Sequence, residues 1–179
     1  STGLVARKKF ISGAGIKKGD IVIGLASSGL HSNGFSLVRK VFSERELKKY
    51  SSILLKPTKI YVKPVLKLLE ILNKDKFVIR GIAHITGGAF YDKLPRILPE
   101  GLAVAIDKTA WKIPEIFKII QKKGRVSQKD MYRTFNMGIG MSLIIEPKSI
   151  LKVIDELNKL KVTNYVIGKI IKGRRSLVI

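Results

Sequence analysis

Short apolar runs of strand length alternate along this chain with segments whose apolar residues recur at helical spacing, and that alternation restricts it to a layered sheet-and-helix architecture. Residues 20–25 (DIVIGL) read as a buried strand entered through the turn Lys17-Lys18-Gly19, and residues 35–42 follow as a helix. A second helix is expected to open at Lys56-Pro57-Thr58, with Ile60, Val65, Leu68, Leu69 and Leu72 on its apolar face and Pro64 kinking or splitting it. Residues 78–85 (VIRGIAHI) and 101–106 (GLAVAI) are strand-like, separated by a short helix ending near Pro95 or Leu98. The next helix is predicted from Pro114 to Lys122, with the proline just inside its start and Gly124 after its end. Another spans residues 127–135, with Ser127 as N-cap and Asp130 completing a capping-box-like pattern. Residues 138–145 (GIGMSLII) form a strand, and residues 147–161 an amphipathic helix burying Ile150, Val153, Ile154, Leu157 and Leu160. Residues 165–171 and 177–179 close with two strands that turn at Gly173. The expected fold class is α+β, one domain with a mixed β-sheet flanked by helices.

Composition narrows the function. An apolar share of 45% over 179 residues is enough for a proper core. There is no cysteine, so disulfides, thiolate zinc sites and cysteine nucleophiles are excluded. No apolar run approaches the ~20 residues of a membrane-spanning helix, which makes a soluble, cytoplasmic protein the expectation. Lysine and arginine number 35 against 13 acidic residues, a net charge of +22 that favours anionic partners. The lysines are scattered through every segment, however, and the longest basic runs are as short as Arg7-Lys8-Lys9. Arginines are the minority, and no aromatic RNA-binding signature is present. This describes a generally basic surface, with neither nucleic acid nor membrane as partner; a polyanion-binding module is the competing reading.

The residues able to do chemistry gather in three loops. Ser27-Ser28-Gly29-Leu30-His31-Ser32-Asn33-Gly34 lies between a strand and a helix, where glycines admit a ligand and hydroxyls and Asn33 offer neutral hydrogen bonds. It reads equally as a phosphate seat or as a loop that caps the helix. Thr86-Gly87-Gly88 repeats the strand–loop–helix order, as a second ligand wall or a tight turn with His84 at the strand end. Thr134-Phe135-Asn136-Met137-Gly138-Ile139-Gly140-Met141 is the third, bringing Asn136 and the glycines either to a ligand or to a helix end and strand start. Metal chemistry has little support: the two histidines are far apart and the acidic residues stand singly. A serine hydrolase is excluded because Leu25-Ala26-Ser27-Ser28-Gly29 misses G-x-S-x-G.

Taken together, these segments resemble a known family. Gly19-Asp20, the run from Gly24 through the SSGLHSNG loop to Arg39, and Pro57-Thr58-Lys59-Ile60-Tyr61-Val62 are similar to phosphoribosylformylglycinamidine cyclo-ligase, the aminoimidazole ribonucleotide synthetase. The match continues through Ala83-His84-Ile85-Thr86-Gly87-Gly88, Leu94-Pro95-Arg96-Ile97-Leu98-Pro99, Trp111 with Pro114, and the run from Met131 to Met141. What is resembled is the C-terminal half of that enzyme. The expected division is therefore residues 1–10 as the end of an N-terminal domain or a junction strand, and residues 11–179 as the synthetase C-terminal domain, a piece of a longer chain.

The resemblance implies an ATP-dependent ligase that closes the imidazole ring of formylglycinamidine ribonucleotide, inactive without its N-terminal half. That half would carry most of the binding of ATP and Mg2+ and the strands of a homodimer. His31 is implied as the catalytic residue, polarising or handling a proton. Ser27, Ser28, Gly29, Ser32, Asn33 and Gly34 would seat an anionic group, with Thr86, Gly87, Gly88, Asn136 and Gly138 completing the wall; no metal ligand is implied. A related ATP-binding synthetase is the alternative. One departure is Ala89, where many relatives have a third glycine. Alanine is expected to suit that position by starting a helix.

Overall fold

A computed structural model of the chain describes residues 3–74 and 76–179. Among the described residues six strands form one mixed sheet: β1 (Ile21–Ala26), β2 (Ile79–His84), β3 (Leu102–Ile106), β4 (Ile139–Ile145), β5 (Asn164–Lys172) and β6 (Leu177–Val178). Their order is β2-β4-β1-β5-β3-β6, antiparallel throughout except for the parallel pair β3 and β6. The expected mixed sheet with flanking helices is what forms.

Apolar side chains on both faces of the central strands explain why these runs read as continuous rather than alternating. Val22 and Ile144 point into one core, with Ile23, Leu25, Leu143 and Ile145 into the other. The first core is closed by α1 (Phe35–Val41), α5 (Ala89–Arg96), α6 (Glu115–Gly124) and α7 (Gln128–Thr134), whose Val38, Phe90, Leu94, Phe117, Ile120 and Tyr132 are fully buried. The second is closed by α4 (Val62–Leu72) and α8 (Ile150–Lys159) through Val65, Leu68, Val153 and Leu157.

Several boundaries differ from expectation. Residues 3–10 hold no strand, and Arg7–Lys9 form a 3-10 turn closed by the Lys9 amide on the Ala6 carbonyl; three successive exposed cations have no sheet edge to join. Residues 1 and 2, the start of the expected junction strand, lie outside the described residues. The second predicted helix begins at Val62, not Lys56, and continues unbroken past Pro64 to Leu72. Proline at the third helical position removes an N–H that has no intrahelical partner there. Ahead of it, α2 (Glu44–Lys49) and α3 (Ser51–Leu54) fill a stretch that periodicity left unassigned; α2 is fixed by a full capping box between Ser43 and Glu46. In α6, Pro114 is the N-cap and Gly124 the last helical residue, with Arg125 taking the left-handed C-cap. The predicted helix over residues 147–161 divides into a 3-10 turn, Pro147–Ser149, and α8.

One connection positions the candidate site. Leu54 ends α3 in the first core, whereas Val65 of α4 packs in the second. The intervening residues 56–61 run without helix across the end of the sheet.

Candidate functional site

Sheet topology gathers the three loops. β4 lies between β1 and β2 and is antiparallel to both, so its start sits beside their ends: Met141 pairs with Leu25 on one side and His84 on the other. Residues 27–34 leave β1 there, residues 85–88 leave β2 and residues 136–138 enter β4.

The first and third loops are joined by a buried amide. Asn136, 2% exposed, donates from Nδ2 to the Gly29 carbonyl at 2.8 Å, and its Oδ1 accepts from the Ser27 hydroxyl at 3.1 Å and the Gly138 amide at 2.8 Å. The Ser27 amide donates in turn to the Gly138 carbonyl at 2.8 Å. Trp111 holds the third loop from behind, donating from Nε1 to the Met137 carbonyl at 2.9 Å. Asn136 and Gly138 thus form the frame of the cluster, while Ser32, Gly87 and Gly88 are exposed on it and Asn33 and Thr86 are half-buried. Asn33 bridges these, donating from Nδ2 to the His31 carbonyl at 2.6 Å while Oδ1 faces the Gly87 Cα.

The backbone of all three loops is left-handed where the chain reverses. His31 and Ser32 have φ of 52° and 58°, Met137 has 49°, and Ala89 has 44° directly after Gly88 at 80°. Such conformations cost non-glycine residues free energy and persist where surrounding contacts hold them. Ala89 does begin α5, as expected, but from the left-handed region, so the expected advantage of alanine there is not realised. At Gly88 a Cβ would also meet the Asp92 side chain at 2.5 Å.

His31 is buried, 3% exposed, with Nε2 accepting from the Ser28 amide at 3.0 Å and the Lys59 amide at 3.3 Å. The Ser28 hydroxyl lies 3.0 Å from the same nitrogen and donates to the Pro57 carbonyl at 2.7 Å. Tyr61 stands beside the imidazole with ring centroids 6.1 Å apart, and its hydroxyl donates to the Ala26 carbonyl at 2.8 Å. His84 continues the row, 6.2 Å from Tyr61. Burial first, and then the neighbouring His84 and Lys59, push the His31 pKa down to about 4. Burial also lowers the pKa of His84 and Lys59 and raises that of Tyr61. A cleft of about 470 Å³ opens next to this row, lined by Thr58, Lys59, Ile60, Tyr61, His84 and Met141 among others. Among the described residues no three His, Asp or Glu side chains come together.

Comparison with known proteins fits this arrangement. Residues 17–179 match the family described as AIR synthase related protein, C-terminal domain. The chain belongs to this family. Its relatives include the phosphoribosylformylglycinamidine cyclo-ligases of Pseudothermotoga lettingae, 50% identical over 100% of this chain and 54% of that protein, and of Caldicellulosiruptor bescii, 47% identical over 99% and 54%. The chain therefore spans about half the length of the curated relatives it matches. Among solved structures, thiamine-monophosphate kinase from Stenotrophomonas maltophilia superposes with a TM-score of 0.62 at 14% identity, covering 97% of this chain and 54% of that one. Thermotoga maritima PurL complexed with AMPPCP gives 0.56 at 9% identity, covering 94% and 24%. These two share the fold of the AIR synthase related domain.

Within this family domain, all the loop residues singled out from the sequence converge at one end of the sheet. Two that were not singled out are Lys59 and Tyr61, while Gly140, named with the third loop as a ligand approach, serves their packing. Lys59 and Tyr61 lie in a stretch read as the opening of a helix, and the one signal for them was their place in the Pro57–Val62 string. Gly140 lets the imidazole and phenol approach β4: a Cβ there would meet the Tyr61 hydroxyl and lie 2.5 Å from His31 Cε1.

Proposed function

We propose that the chain is the C-terminal half of an ATP-dependent cyclo-ligase of purine biosynthesis. The reaction converts formylglycinamidine ribonucleotide to aminoimidazole ribonucleotide and releases ADP and phosphate. The observation that carries this reading is the 50% identity to the Pseudothermotoga lettingae cyclo-ligase, sustained over the whole chain. ATP phosphorylates the amide oxygen of the substrate, an amidine nitrogen attacks that carbon to form the ring C–N bond, and the C–O bond to phosphate breaks. Such a step needs hydrogen-bond donors held in place around developing charge and water kept away.

The loop cluster suits the substrate side of that step. Ser32, Asn33, Thr86, Gly87 and Gly88 present hydroxyl, amide and backbone groups at its open face, while Ser27, Ser28, Gly29, Gly34, Asn136 and Gly138 hold the loops in register. Lys59 brings a cation to the same edge, its ammonium 5.7 Å from the Tyr61 ring centroid. Mg2+ does not fit the described residues of this chain, since a hard cation needs converging carboxylates and none converge among them. In this reading the N-terminal half of the enzyme binds ATP and the ion, completes the cleft as this domain's partner and pairs two subunits in the cytoplasm.

The test is a chimera in which this chain replaces the C-terminal half of the Pseudothermotoga lettingae enzyme. Formation of aminoimidazole ribonucleotide with stoichiometric ADP is the expected result. A folded chimera that binds ATP but yields no product would overturn the proposal.

A further inference from the structure

The His31 hydrogen bonds fix which of its nitrogens carries the proton. Backbone amide hydrogens are placed by the chain itself, and those of Ser28 and Lys59 both point at Nε2. Nε2 is therefore an acceptor without a proton, and the neutral ring carries its hydrogen on Nδ1. Nδ1 faces the Gly140 Cα and has no hydrogen-bond partner among the described residues. One atom thus ties the loop after β1 to the crossing that leads into α4, two segments joined a second time by the Ser28 hydroxyl on the Pro57 carbonyl. The tie sits where the backbone most needs it, at consecutive left-handed residues His31 and Ser32.

We propose that His31 is a positioning residue, a neutral imidazole latch that holds the amides of Ser28 and Lys59 and so sets the open face of the loop cluster, rather than the group that transfers a proton to or from substrate. What it positions rests on the cyclo-ligase reading; the latch itself does not. A general base would have to take its proton at Nε2, where two N–H groups already point. A general acid would have to give it from Nδ1, which is enclosed by β4. Among the described residues the groups facing the ring are Tyr61 at the start of α4, His84 at the end of β2 and Lys59 on the crossing, none of them an anion that would favour the imidazolium. Protonation would set a third N–H against the two amides and open the latch.

Two substitutions separate the roles. In His31→Gln the side-chain oxygen can occupy the Nε2 position and accept both amides without a titratable ring; His31→Leu keeps the volume and removes the acceptor. In this chain, hydrogen exchange at the Ser28 and Lys59 amides is expected to stay within about 3-fold of wild type in His31→Gln and to quicken at least 10-fold in His31→Leu. The wild-type imidazole is expected to show nitrogen resonances of a neutral ring protonated at Nδ1. An Nε2-protonated ring, or Ser28 and Lys59 amides that exchange alike in both variants, would refute the latch. In the chimera, general acid–base catalysis by His31 would cost His31→Gln about 100-fold or more in kcat, since proton transfer contributes roughly 10²–10⁴. Retention within about 10-fold by His31→Gln, with a larger loss in His31→Leu, is the outcome expected of a positioning residue. Equal, severe losses in both variants would assign proton transfer to His31 instead. An inactive unmutated chimera counts against the cyclo-ligase reading alone, and amide exchange then decides the latch.

Discussion

Gly140→Ala isolates the contact on which the site's packing depends. No left-handed backbone is involved at Gly140, so alanine meets no conformational barrier there and the whole cost comes from its Cβ. That atom would collide with the Tyr61 hydroxyl and stand 2.5 Å from His31 Cε1 and 2.9 Å from Nδ1. The phenol must swing off the Ala26 carbonyl, and the imidazole must shift from the two amides it accepts. Overpacking of this kind costs about 1–3 kcal/mol, and a buried hydroxyl left without its acceptor about 1–3 kcal/mol more. Reduced freedom of the unfolded chain returns about 0.4–1 kcal/mol. The expected net loss is about 3 kcal/mol, which for a domain of this size lowers Tm by roughly 6–12 °C. Urea and thermal unfolding followed by circular dichroism measure it. Tyr61→Phe removes the oxygen in the way, so Gly140→Ala should cost about half as much in that background, a coupling readable from the double-mutant cycle. If Gly140→Ala is as stable as wild type, or if the two substitutions simply add, the reasoning from this close approach is wrong.

Two other outcomes are expected. The His31 pKa is about 4 in the folded chain and 6.5 when unperturbed, so between those pH values the unfolded chain binds a proton that the folded chain refuses. Stability from this group is complete above pH 6.5 and is lost on acidification towards pH 4, by about 3 kcal/mol in all; His84, lowered by burial, adds in the same direction, and Asp20, raised by burial, opposes it. Urea titrations at stepped pH should show wild type losing that amount relative to His31→Gln, and parallel curves for the two proteins would contradict it. Ala89→Gly should be close to neutral, because relief of a left-handed alanine, about 1–2 kcal/mol, offsets the lost methyl and the added chain freedom. A loss above about 2 kcal/mol in the unfolding free energy from denaturant titration would mean that Ala89 is not strained.

Much of the architecture was legible because its signals are local. Apolar runs such as DIVIGL and GIGMSLII mark β1 and β4 without reference to the rest of the chain, and Ser127 with Asp130 marks the start of α7. The same logic failed over residues 56–61. Apolar spacing continues there, but the chain has to cross the sheet end before α4 can begin. It failed again at Ala89, whose place at a helix start was legible and whose φ was not. For the site, the family strings named the three loops, and nothing local distinguished Asn136 as part of the frame from Ser32 as part of the open face.

The sequence by itself determined the class of fold, the three loops and, through their strings, the family to which the chain belongs. Only the tertiary structure decided that these loops meet, because Ser27 and Asn136 are 109 residues apart and are joined by the antiparallel register of β1 and β4. It also decided the state of His31. A histidine alone can donate, accept or titrate, and here two backbone amides and the wall of β4 leave its neutral ring one tautomer. Periodicity records which face of an element is buried; it carries no record of which distant backbone group will be aimed at a given atom.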